Sequence, residues 1–163
     1  GAELVFLPIY YTEASLILAQ ADSMGLETKF FGCDGMDGIL GVENFDTSLA
    51  EGLMLLTPFA ADSTDEKTQA FVTAYKDAYT DTPNQFAADA YDAIYTIKAA
   101  AEKADIKPNM SVSDICDALK AAMPEINVQG LTGGDEGLTW SETGEVSKQP
   151  KAMKIENGAY VGM

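Results

Sequence analysis

Residues 3–35 read ELVFLPIYYTEASLILAQADSMGLETKFFGCDG, and this stretch decides the fold class. Glu3–Ile9 is a short, nearly continuous apolar run, the pattern of a strand buried on both faces of a parallel sheet. Thr12 is placed to cap a helix, and residues 14–21 carry helical character. Gly25 reads as the helix stop. Lys29–Gly32 is the next short strand, followed at once by Cys33, Asp34 and Gly35. Strand, helix and strand fit within about 30 residues, the length of one right-handed βαβ unit.

Working outward, residues 36–44 are Gly-rich and read as a loop, and residues 45–50 as one helical turn. Residues 52–57 form a third strand, stopped by Pro58. Residues 62–66 make a polar turn and cap before an amphipathic helix over 70–79. Residues 86–104 are the longest helix, with Ala87, Ala90, Tyr91, Ile94, Tyr95, Ile97 and Lys98 suggesting a broad apolar face. Ser111 or Ser113 caps a helix over 112–123. Residues 130–137 are a Gly-rich turn region. Residues 138–140 and 151–155 read as short strands, and Asn157-Gly158 turns the last one into 159–161. The fold class is α/β, a parallel sheet with flanking helices. Three parallel strands with helices mainly on one face leave open edges and an uncovered face. The chain therefore reads as part of a larger α/β protein.

Composition narrows the function. The chain has 163 residues, 47% of them hydrophobic, enough for one packed domain. The net charge is −16, and all ten basic residues are Lys. An acidic chain without Arg is a poor partner for nucleic acid. Without His it can build neither a Ser-His-Asp nor a Cys-His device, and no His-ligated zinc site. No Asp-rich loop with calcium spacing is present. The expectation is no enzyme, no metal and no cofactor. No apolar stretch is long enough to span a bilayer. No leader precedes Gly1, so a secreted form would be mature or trimmed. Cys33 and Cys116 can pair or stay apart.

In open α/β sheets, ligands bind beyond the carboxyl ends of the strands. The first strand ends in Tyr10, Tyr11 and Glu13, the second in Asp34. Tyrosine offers apolar area and a hydroxyl, and aspartate offers charge for an ammonium group. That combination suits a small zwitterion or cation. The alternative is structural: tyrosines packed between helices, and Asp34 capping a turn. Asp34 as a phosphoacceptor would want an acidic pair and a strand-end Lys, and neither is evident.

The stretches AELVFLPIYYTEASLILAQADSMGL, KFFGCDG, EGLMLLTPF, FAADAYDAIYTIKAAAEKA and GLTGGDEGLTWSETGEVSKQPKAMKIENGAYV occur in an order and spacing that carries a resemblance. Together they resemble the carboxyl-terminal part of type I solute-binding proteins of ABC transporters, in the branched-chain amino acid binding family. The resemblance implies two α/β lobes that close on ligand, joined by three crossings. It puts residues 1–58 and 148–163 in the second lobe and 59–147 with the first. It implies that Tyr10 and Asp34 contact the ligand, Asp34 through its ammonium. Tyr11 and Glu13 are neighbours of the site, and Phe59 a hinge or pocket residue. The family's closing pattern usually has Asp after the aromatic residue, where this chain has Ser141 after Trp140.

The implied function is an extracytoplasmic protein, periplasmic or a cell-surface lipoprotein. It captures an amino acid for an ABC permease. The alternative is a sensor domain of the same fold. Helices 86–104 and 112–123 expect a sheet that this chain does not supply. The fragment is therefore expected to self-associate or fold those helices back.

Overall fold

A computed structural model describes all of Gly1–Met163, and the chain forms two compact units. The first comprises Gly1–Gln85 and Pro150–Met163, the second Phe86–Gln149. These units divide the chain at 85/86 and 149/150, whereas the lobe segments above divide it at 58/59 and 147/148.

The first unit is a five-stranded sheet in the order β1-β2-β3-β4-β5. Strands β1 (Leu4–Leu7), β2 (Lys29–Gly32) and β3 (Met54–Thr57) are parallel. Strands β4 (Lys151–Glu156) and β5 (Ala159–Gly162) add on antiparallel, joined by the expected Asn157-Gly158 turn. Helix α1 (Tyr11–Ser23) connects β1 to β2 and ends before Gly25, whose φ of 63° suits glycine. The core gathers Leu7, Leu18, Met36, Ile39, Leu55, Met153 and Ile155.

Three expectations are corrected in this unit. β1 is not buried on both faces. Leu7 is buried, but Phe6 is 54% exposed and lies beside Phe31, ring centres 5.7 Å apart. The two faces of a strand alternate, and the core covers only one of them here. Thr12 does not cap α1. Tyr10 occupies the cap position, its side chain making no capping hydrogen bond to the helix, and the Thr12 carbonyl accepts from the Ser15 hydroxyl at 2.7 Å. Helix α2 (Glu66–Tyr79) begins a turn earlier than 70, because Asp65 caps it by accepting from Thr68 N at 2.8 Å.

The second unit holds nearly all of α3 (Gln85–Lys103), then α4 (Val112–Ala122), capped by Ser111. Residues 138–140 form no strand. They make only isolated bridges, Val128 with Leu138 and Trp140 with Val146. The buried stripe of α3 is also not the expected one. It runs Ala88, Asp92, Thr96, Ala100 at spacing four, while Ile94 is 67% exposed and Tyr95 and Ile97 are exposed too. Asp92 explains the rotation of that stripe. Its Oδ1 accepts from Leu131 N at 2.7 Å, and its Oδ2 from Thr132 N and Oγ1 at 2.9 and 2.8 Å. A buried carboxylate needs such donors, so the helix turns the acid inward. Gly130 permits it: a Cβ there would sit 2.5 Å from Asp92 Oδ2. Cys33 and Cys116 are both free thiols.

Candidate ligand-binding rim

The carboxyl ends of β1 and β2 lie side by side in register, Leu7 opposite Gly32. Beyond them, Gly35 meets the Ile9–Tyr10 backbone. A Cβ on Gly35 would stand 2.7 Å from the Ile9 carbonyl oxygen and 3.4 Å from Tyr10 Cα. Only glycine allows that approach, so the Asp-Gly dipeptide here marks a close backbone contact as well as a turn. The structure thus brings Tyr10 and Asp34 to one rim. Tyr10 is 64% exposed, and Asp34 is exposed on the short 3₁₀ turn Asp34–Met36. No side chain caps that turn, and no lysine pairs with Asp34. Glu13 lies exposed in the first turn of α1.

Tyr11 and Phe59 go elsewhere. Both line a cavity of about 600 Å³ within the first unit, together with Asp37, Thr57, Lys76 and Tyr160. Phe59 is buried and packs nearly perpendicular to Phe71, ring centres 6.0 Å apart. Tyr10, Asp34 and Glu13 do not line this cavity. The five candidates therefore separate into an open rim and a closed wall.

Sequence reasoning missed Asp37 and Gln85. Asp37 ends the 3₁₀ turn, its N–H donating to the Asp34 carbonyl at 3.0 Å, and is only 5% exposed. Its Oδ2 accepts from Gln85 N at 2.8 Å and from the Thr57 hydroxyl at 3.2 Å. Gln85 is 1% exposed, and its Nε2 donates to the Asp34 carbonyl at 2.5 Å. The local signal was the Asp37-Gly38 pair, which marks a turn but does not name a partner 48 residues away.

Tyr160 closes the same wall, its hydroxyl accepting from Gly38 N at 2.9 Å. Burial, then the Asp37 carboxylate, push its phenol up to about 12, against the backbone N–H groups of residues 38–40. The folded chain therefore keeps a proton that the unfolded chain releases near pH 10. The resulting stabilisation is complete below pH 10 and is lost as the pH climbs toward 12. Urea titrations should show stability falling across that window, and falling less steeply in Tyr160→Phe. Equal slopes in the two proteins would remove Tyr160 as the cause.

The first unit is an α/β sheet that carries an aromatic residue and a carboxylate beyond the carboxyl ends of its first two strands. Residues 1–159 match the periplasmic binding protein family, and the chain belongs to it. It is a family of solute-binding proteins and not of enzymes. The leucine-, isoleucine-, valine-, threonine- and alanine-binding protein of Pseudomonas aeruginosa is 31% identical over 137 residues, 84% of this chain and 35% of that protein. The leucine binding protein LivK of Thermotoga maritima superposes with a TM-score of 0.77 at 22% identity, over 99% of this chain and 43% of that one. LivJ of Streptococcus pneumoniae, solved with isoleucine, gives 0.77 at 26% identity, over 99% and 45%. A solute binding protein of R. palustris solved with benzoate gives 0.80 at 17%, over 99% and 42%. The chain thus spans about a third of the curated relative and under half of these structures. No helix is long and apolar enough to cross a membrane.

Proposed function

We propose that this chain supplies one wall of the ligand site of an extracytoplasmic solute-binding protein. That protein captures an amino acid, branched-chain or similar, and delivers it to an ABC importer. The observation that carries this reading is the packing of Gly35, the neighbour of Asp34, against the Ile9–Tyr10 backbone at the carboxyl ends of β1 and β2. Asp34 holds the ligand's ammonium, and Tyr10 covers its apolar part. Glu13, exposed in the first turn of α1, adds negative charge near Tyr10, while Tyr11 and Phe59 line the separate cavity. The ligand favours the closed state because it gains contacts there that the open state lacks. The identity of the Pseudomonas relative supports the amino-acid class, while the benzoate-bound neighbour shows that the fold also takes anions without an amine.

Calorimetry on the full-length protein separates these two ligand classes. L-leucine, L-isoleucine and L-valine should bind. Isocaproate, which is leucine without its ammonium, and benzoate should bind far more weakly. Benzoate or isocaproate binding as tightly as leucine would overturn the assignment of Asp34.

A further inference from the structure

Asp34 sits on a turn of only three residues, at the end of a four-residue strand. So short a turn does not hold a side chain's direction by its own hydrogen bonds. The Asp34 carbonyl is gripped from outside by the buried carboxamide of Gln85, and Asp37, the residue that closes the turn, is gripped by the Gln85 backbone N–H and the Thr57 hydroxyl. Thr57 is in turn tied to the chain after β3, because Phe59 N donates to its hydroxyl at 3.2 Å. Gln85 is the first residue of α3 and the last of the first unit. One residue therefore holds both ends of the turn that carries the candidate ammonium-binding carboxylate, at the point where the chain leaves that unit.

We propose that Gln85 is a positioning residue for ligand binding: its side chain and backbone N–H clamp the 34–37 turn and set where the Asp34 carboxylate stands. The clamp rests on the assignment of Asp34 above, and it acts through Asp34 with no ligand contact of its own. A residue that merely supports the fold would weaken binding whether or not Asp34 carries a charge. A positioning residue matters only while the carboxylate is there to be positioned.

The test is a double-mutant cycle with L-leucine as the probe, on the full-length protein. Gln85→Met keeps length and helix propensity and removes the Nε2 donor. It should weaken leucine binding about tenfold, the scale of one well-placed hydrogen bond. In an Asp34→Asn background the same change should cost less than about twofold. Equal losses in both backgrounds, or no loss with Asp34 intact, would overturn the proposal.

A second readout needs no ligand. Gln85→Met should speed amide hydrogen exchange at Asp37, whose N–H closes the turn, by about tenfold. Unchanged exchange would overturn the clamp by itself. If Asp34→Asn leaves leucine affinity unchanged, the assignment of Asp34 to the ligand fails. Exchange at Asp37 then decides separately whether Gln85 holds the turn.

Discussion

Asp34→Asn is expected to weaken amino-acid binding by about 2–4 kcal/mol, roughly 30- to 700-fold. The substitution keeps shape and removes charge. The carboxylate stands exposed with no lysine beside it, so it is available to an incoming ammonium group. Once a ligand is enclosed, that pair lies away from water, and taking out one partner strands the other. An exposed pair would be worth under about 1 kcal/mol, so the size of the effect also reports enclosure. Calorimetry with L-leucine measures it. Affinity within twofold of the parent would take Asp34 out of the site.

The second large effect concerns stability. Asp92→Ala should cost the second unit about 3–5 kcal/mol, because three buried donors lose their acceptor together at about 1–3 kcal/mol each. That is a large share of the 5–15 kcal/mol typical of a domain. Asp92→Asn is the milder control. Its amide oxygen can keep both bonds from Thr132, but its NH₂ then faces the Leu131 N–H, and about 1–3 kcal/mol is lost. Chemical denaturation, with hydrogen exchange at Leu131 and Thr132, reads both variants. Two variants within about 0.5 kcal/mol of the parent would show that the loop is held by something else.

Much of the first unit is legible without coordinates. The apolar run Glu3–Ile9, Gly25 after a helical stretch, and Lys29–Gly32 before an Asp-Gly pair all mark elements by local chemistry; the last two fall where expected, and the first strand is shorter than expected, Leu4–Leu7. Asn157-Gly158 does the same for the closing hairpin. The errors have two causes. The apolar face assigned to α3 followed its large side chains, Ile94, Tyr95 and Ile97, and these are exposed. The helix is instead rotated by one aspartate whose partners lie about forty residues downstream. The extra turn at the start of α2 follows from Asp65, a cap inside a run of several residues able to serve as one.

By itself the sequence determined the order and kind of the elements. It also determined the acidic, Arg- and His-free composition that excludes His-dependent catalytic and zinc devices, and the placing of an aromatic and a carboxylate at two strand ends. These depend on neighbours in the chain, whose backbone preferences and spacing act locally. The tertiary structure alone decided which faces are covered, that Gly35 packs against Ile9 and Tyr10, and that Asp37, Thr57 and Gln85 converge behind Asp34. A buried polar group is stable only where a distant partner meets it, and no local pattern records which residue that will be.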